Sequence, residues 1–99
     1  MSAAVLDTQP EPVDVAVQAA EYPKEALDAN FQGAVQLEIL IDETGRVREA
    51  KVRKDPGRGL GDAAVRSALA HFRFSPGRLH GQPVAAWWTF TVVYELPRR

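Results

Sequence analysis

The sequence predicts an α+β fold, in which a three-stranded antiparallel sheet carries two helices packed on one face. Segments with the period-two alternation of strands and segments with helical spacing follow one another in the order helix–strand–strand–helix–strand. Two amphipathic helices can cover only one face of so small a sheet. The chain has 99 residues, of which 45% are hydrophobic, so it can build one core and one domain.

The first helix and the first strand follow from local chemistry. Pro23 fits the first position of a helix, where its missing N–H costs nothing, and good helix formers follow it. Asn30 and Gly33 favour an end to this helix, which we expect over about residues 23–30. From Gly33 to Asp42 apolar and polar residues alternate, and this pattern predicts the first strand.

The hairpin that follows is predicted by a short polar loop. Residues 42–45 have the length of a hairpin loop, and Gly45 is placed to adopt a positive φ angle. The return strand is expected over about residues 46–53. Its apolar residues break strict alternation, so we expect a bulge near Val47.

The second helix and the last strand complete the series. Asp62 is expected to cap the helix, whose apolar residues recur at helical spacing, and the Pro-Gly pair at 76–77 to end it. The last strand is expected over residues 84–96. Because neighbouring strand residues face opposite ways, Trp88 is predicted to lie in the core. Trp87 is then either a partly exposed packing residue or a partner contact.

The two edges of the predicted sheet differ in charge. A right-handed crossover through the second helix places the last strand antiparallel beside the first, so the expected order is second–first–third. The second strand carries many charged residues, which discourage pairing with another chain. Residues 84–94 of the last strand contain no charged residue. Such an edge is suited to adding a strand from a partner.

Residues 1–20 predict a linker or weakly ordered segment ahead of a domain at 21–97. A Pro-Glu-Pro stretch is typical of a semi-extended linker. The alternation of Val13, Val15 and Val17 leaves a short strand open as an alternative.

Composition argues against several classes of function. The formal net charge is -1, which gives no strong attraction to nucleic acid or to an anionic membrane surface. The chain has no cysteine, so disulfides, thiolate metal sites and cysteine nucleophiles are excluded. No apolar run approaches the roughly 20 residues that a membrane-spanning helix needs. We therefore expect no nucleic-acid partner and no direct membrane contact from this part of the protein.

No motif predicts catalysis, a cofactor or a metal. The spacing of Gly57, Gly59 and Gly61 fits neither a dinucleotide fingerprint nor a P-loop, and the sequence predicts a flexible connection there. His71 and His80 lack partners at metal-ligand spacing. The serines show no nucleophile motif with a histidine and a carboxylate. The sequence therefore predicts no enzyme, no catalytic residue, no metal ligand and no cofactor.

An ordered series of motifs resembles the C-terminal domain of TonB proteins. The first half of the resemblance is carried by Tyr22-Pro23, Gly33-x-Val35-x-Leu37-x-Ile39 and Asp42-x-x-Gly45-Arg46-Val47. The second half is carried by Asp62-Ala63-Ala64-Val65, Phe72-Arg73-Phe74-x-Pro76 and Gly81-x-Pro83-Val84. The similarity covers about residues 22–96, and the order of the whole series is more specific than any single motif.

The resemblance implies a TonB C-terminal domain-like fold and a protein-binding function. It implies a periplasmic domain of an inner-membrane-anchored energy transducer, driven by proton-powered motor proteins through an N-terminal membrane helix that we expect upstream. The partner would be the TonB box, a short segment of an outer-membrane transporter, added as a strand beside the last strand. The partner-binding residues would be Tyr22, Pro23, Trp87, Thr89, Phe90, Thr91, Val92 and Val93.

Two alternatives stay open at this point. The same edge could pair with its own copy and give a homodimer with a six-stranded sheet. A TonB-like module could also serve a motility, secretion or signalling complex of the envelope, because a fold does not by itself determine a function.

Overall fold

The computed structural model describes residues 6–14 and 22–96 and confirms the α+β class. In chain order the elements are β1 Glu11–Asp14, α1 Lys24–Asp28, β2 Gly33–Ile41, β3 Val47–Lys54, α2 Leu60–Ala70, β4 Arg73–Ser75, β5 Gly77–Leu79, β6 Gln82–Val84 and β7 Ala86–Tyr94. Neither helix in this part of the chain has the length and apolarity needed to cross a bilayer.

The main sheet has three antiparallel strands in the order β3–β2–β7. β2 and β7 pair through nine consecutive residue pairs, from Gly33 opposite Tyr94 to Ile41 opposite Ala86, with no shift of register. The ladder between β2 and β3 is less regular and shifts at two places. β7 is therefore paired with the central strand along its whole length, without a bulge.

The core lies between this sheet and the helices. Along β2 every second side chain is completely buried, which is the expected result of its alternating sequence. The residues from β2 are Val35, Leu37, Ile39 and Ile41. The helices add buried residues to the same cluster, namely Ala26 from α1 and Leu60, Ala63, Ala64 and Ala68 from α2. The sheet and both helices therefore share one hydrophobic core.

The hairpin between β2 and β3 agrees with the local predictions. Gly45 adopts a φ of 89°, which few residues other than glycine tolerate. The bulge expected near Val47 is confirmed, because Leu40 pairs with Glu49 while Ile41 pairs with Val47, which leaves Arg48 outside the ladder.

The expected cap of α2 was wrong, because the helix begins at Leu60 and Asp62 lies within its first turn. The cap position is Gly59, which has no side chain to offer. Asp55 supplies the carboxylate instead and accepts hydrogen bonds from the backbone N–H groups of Gly57 at 2.9 Å and Gly61 at 3.2 Å. These hydrogen bonds fix the glycine-rich connection at the start of α2, so it is not a flexible loop.

The expected end of α2 was also too late. The helix ends at Ala70, and residues 73–75 form β4 instead of a further helical turn. The reason is tertiary pairing, because the Phe74 N–H donates to the Gly45 carbonyl at 2.9 Å while β4 pairs with β1 on its other side. β4 therefore fastens the hairpin turn to the N-terminal segment.

The segment before Asp14 is more ordered than the linker prediction implied. Glu11–Asp14 form β1, and Thr8 exchanges backbone hydrogen bonds with Arg78, at 3.2 and 2.8 Å. Pro10 is fully buried. This finding favours the alternative of a short strand at Val13, while Val15 and Val17 lie outside the described residues.

Asp42 organises the turn between β2 and β3. Its carboxylate accepts hydrogen bonds from the Thr44 N–H and hydroxyl at 2.9 and 2.6 Å, the Arg46 N–H at 3.0 Å and Arg48 Nε at 2.6 Å. Burial alone would raise the pKa of Asp42, but these donors together outweigh it and hold the pKa well below its usual range. The turn is therefore built around an ionised carboxylate.

We expect Asp42→Asn to lower the free energy of unfolding by about 2 kcal/mol near neutral pH, because the amide loses the charge that these donors face. The pKa is lowered on folding, so this contribution is complete above the ordinary pKa of 3.8 and is lost as the pH falls toward the folded-state pKa. Urea denaturation of both proteins from about pH 6 to about pH 2 measures the difference.

The matched control is Asp28→Asn, which removes an exposed ion pair of 3.3 Å with Lys24. It should change the free energy of unfolding by less than about 0.5 kcal/mol. A difference between wild type and Asp42→Asn that stays constant down to the lowest pH would contradict the role given to the charge.

Candidate partner-binding edge

One side of β7 is left open within residues 6–14 and 22–96. β7 is the outer strand of the main sheet and pairs with β2 on one side, and no described strand pairs with it on the other. We call this second side the open edge. Alternate residues of an edge strand direct their N–H and C=O groups away from the sheet, so the open edge presents a regular row of backbone donors and acceptors.

The opposite edge, β3, is built differently. Its ladder with β2 contains two register shifts, and seven of its eight side chains are exposed or partly exposed, most of them charged. Arg53 pairs with Glu38 of β2 at 3.5 Å. Charges and bulges both discourage strand addition. β7 has neither, so the two edges of the sheet are not equivalent.

The outer face of β7 carries the side chains that point away from the helices. Thr89 and Thr91 are exposed, and Val93 retains 53% of its accessible surface. Trp87 is half-buried, and the Lys51 ammonium lies over its ring at 5.0 Å from the centroid. This cation–π contact spans the sheet from β3 to β7 and holds the indole against the outer face.

The inner face of β7 points toward the core but is covered unevenly. Its residues are Ala86, Trp88, Phe90, Val92 and Tyr94. The residues at the two ends are buried, whereas Trp88 and Phe90 in the middle are only half-buried. Phe90 packs edge-on against Phe72 and Phe74, with ring centroids 5.9 and 5.4 Å apart. This partial exposure could not be read from the alternation alone.

Tyr22 and Pro23 lie at the end of β7 that carries Tyr94. Tyr22 is buried, its ring meets the Tyr94 ring edge-on at 5.2 Å, and its hydroxyl donates to the Phe31 carbonyl. Burial raises the pKa of Tyr22, so its hydroxyl keeps its proton. Pro23 is half-buried at the start of α1. Tyr22 therefore anchors the fold beside the open edge, and its side chain is not available to a partner in this arrangement.

The predicted binding residues thus divide into two groups. Those on the outer face, Trp87, Thr89, Thr91 and Val93, are exposed or half-buried and present side chains. Of the two on the inner face, Val92 is buried and Phe90 is half-buried, so only part of the Phe90 ring is accessible. Within the described ranges no three metal-binding side chains lie close enough to hold an ion.

The chain matches the family model for the Gram-negative bacterial TonB protein C-terminal over residues 18–96. The chain belongs to the TonB C-terminal domain family. Its fold is similar to a solved structure described as the solution NMR structure of the Pseudomonas aeruginosa TonB CTD, with a TM-score of 0.66 and 26% identity. That match covers 94% of this chain and 92% of the other. Among curated proteins, none matches this chain.

Membership of the TonB family settles the class of function. The TonB C-terminal domain is a non-enzymatic interaction domain. The family is periplasmic, and its members interact with outer-membrane transporters. The resemblance stated from the sequence motifs is confirmed.

Proposed function

We propose that this domain is the partner-binding end of a TonB-like energy transducer and that it grips a short segment of an outer-membrane transporter by strand addition. The observation that supports this most directly is the open edge of β7, which is uncharged, regular over nine residue pairs with β2 and unpaired within the described residues. Upstream, an N-terminal membrane helix would link the domain to proton-driven motor proteins of the inner membrane.

The expected affinity follows from the length of the strand. About four or five of the nine residues of β7 direct both N–H and C=O to the open edge, so an added strand of the same length can form about eight to ten backbone hydrogen bonds. At roughly 1 kcal/mol net each they contribute about 8–10 kcal/mol, to which side-chain burial adds a few more. Ordering the peptide and association subtract several. A dissociation constant in the micromolar range results, which suits a grip that must be released in every cycle.

The paired strands also suit the transmission of force. A pull along the added strand is shared by all of its hydrogen bonds with β7, and β7 passes it to β2 through nine residue pairs. The side chains of β2 on the inner face are fully buried, so the load reaches the core of the domain. This arrangement can carry energy from a moving inner-membrane component to a transporter.

Titration with a synthetic peptide from the periplasm-facing segment of a transporter tests this function. We expect one site per domain, micromolar affinity by calorimetry, and shifts of backbone NMR resonances concentrated in Ala86–Tyr94. The resonances of Val47–Lys54 should change little. Shifts confined to β3 or to the helices, or a peptide that does not bind, would contradict the proposal.

The same edge supports self-pairing as a second candidate. Two copies joined along β7 would form one six-stranded sheet, as the uncharged edge permits. Sedimentation across a concentration series, with and without the peptide, separates the two functions. The proposed function predicts a monomer that remains a monomer when the peptide binds, whereas self-pairing predicts a dimer that the peptide dissociates.

A further inference from the structure

The inner face of the sheet is covered most densely at its central strand. The four inner side chains of β2 are completely buried, whereas Trp88 and Phe90 of β7 are only half-buried. α2 packs mainly against β3 and β2, so it lies off the centre of the sheet and away from β7. Aromatic surface is therefore exposed beside the open edge, on the side of the sheet where the core lies.

We infer that Trp88 and Phe90 determine which strands the domain accepts, by selecting apolar side chains at alternate positions of the partner. The inference rests on the strand addition proposed above. A strand added to the open edge directs every second side chain to the inner face, where its nearest neighbours are Trp88 and Phe90. Apolar residues at these positions of the partner bury the exposed parts of the two rings, as a further strand of the sheet would do.

The outer face of β7 is expected to restrict the side chains of the partner strand less than the inner face does. Its central positions are Thr89 and Thr91, which are exposed and can face either polar or β-branched neighbours. The Lys51 ammonium already lies over the face of the Trp87 ring. A partner strand is thus expected to have an apolar inner row of two or three residues and an outer row that tolerates polar substitution. A charged residue in the inner row would lose its water beside the two aromatic rings.

Substitution of the transporter peptide at each position in turn tests this pattern by calorimetry. Alanine at the inner-row positions should weaken binding about tenfold, because each loses the burial of an aliphatic side chain. Alanine at the intervening positions should change the dissociation constant by less than about threefold. Lysine at the inner-row positions should weaken binding more than alanine does, whereas lysine at the intervening positions should again have little effect.

Variants of the domain identify which of its residues contact the inner-row side chains of the peptide. In Trp88→Leu and Phe90→Leu the penalty for alanine in the inner row of the peptide should shrink, and the penalty in the outer row should not change. The matched control is Val52→Ala, since Val52 is 39% exposed on the inner face but on the opposite edge of the sheet. This control should keep the full penalty. Thermal melting establishes which variants fold. If Phe90→Leu does not fold, Trp88→Leu alone tests the inference.

Fluorescence gives a second readout that needs no substitution in the peptide. In Trp87→Phe the emission comes from Trp88 alone, and in Trp88→Phe it comes from Trp87 alone. Binding should protect Trp88 from acrylamide quenching much more than it protects Trp87.

The outcomes separate this inference from the function on which it rests. A peptide that pairs with β7 but shows equal penalties in both rows, or equal protection of the two tryptophans, would overturn the selection by Trp88 and Phe90 and leave strand addition standing. A peptide that does not pair with β7 would overturn both.

Discussion

Replacing Gly45 with alanine is expected to lower the free energy of unfolding by about 3 kcal/mol or more. Gly45 has a φ of 89°, which strains any residue with a side chain. A Cβ added there would also overlap the Phe74 carbonyl oxygen. Because this oxygen belongs to the backbone, it cannot move away as the end of a flexible side chain could. The Phe74 N–H would then lose its 2.9 Å hydrogen bond to Gly45. Urea denaturation measures the loss.

Gly81 provides the matched control for this substitution. Its φ of 79° imposes a similar strain on alanine, but nothing lies within 4 Å of the position that a Cβ would take. Gly81→Ala should therefore cost about 1 kcal/mol, and the difference between the two variants measures the close approach of β4 to the turn. Equal losses in the two variants would show that β4 does not press on the turn as described.

A scan of N-methylated backbone positions along the transporter peptide is expected to weaken binding with a period of two. Every second N–H of an added strand donates to β7, and the intervening N–H groups point away. Methylation removes a donor and adds bulk between the strands, so the donating positions should lose tenfold or more in affinity, equivalent to about 1.4 kcal/mol. The intervening positions should lose much less. Calorimetry with the set of peptides gives the pattern.

This scan separates backbone recognition from recognition by side chains. N-methylation leaves every side chain of the peptide in place, so the unmodified peptide is its control. Losses that follow side-chain identity without a period of two would contradict strand addition. They would point instead to a pocket that accepts individual side chains.

The elements with strong local patterns could be predicted from the sequence. The alternation that begins at Gly33 placed β2 to within one residue of its observed end, and the turn chemistry at Gly45 placed the hairpin. The right-handed crossover predicted that the last strand lies beside the first at an edge of the sheet, and β7 does so. That a partner strand adds at this uncharged edge stays a prediction. These features depend on period and composition, which a single sequence contains.

Elements held by distant contacts could not be predicted. β4, β5 and β6 have three residues each, too few for a period to be recognised. β4 also depends on pairing with the distant β1, whereas β5 and β6 pair with each other across a short turn. Phe72 continues the helical spacing of α2, so the sequence predicts a helix that runs past it to the Pro-Gly pair at 76–77. The carboxylate of Asp55 reaches the start of α2 across a turn in which Gly57, Arg58 and Gly59 all adopt positive φ angles.

The sequence predicted the edge position of the last strand, but not how far its side chains are buried. Sequence could place Trp88 and Phe90 on the inner row but could not foresee that α2 leaves them half-buried. Tyr22 belongs to a motif of the family and was therefore expected at the border of the partner, but its buried ring contacts Tyr94. The roles of all the predicted partner-binding residues stay predictions until a partner is bound.

Hydrogen exchange of the β7 amides shows whether the outer side of this strand is free to bind a partner. In the free domain, amides within Ala86–Tyr94 should alternate between slow exchange, where they donate to β2, and fast exchange, where they face the open edge. Addition of the transporter peptide should slow the fast set and leave the amides of Val47–Lys54 unchanged. Uniformly slow exchange along β7 in the free monomer, or a fast set that the bound peptide does not protect, would contradict the account.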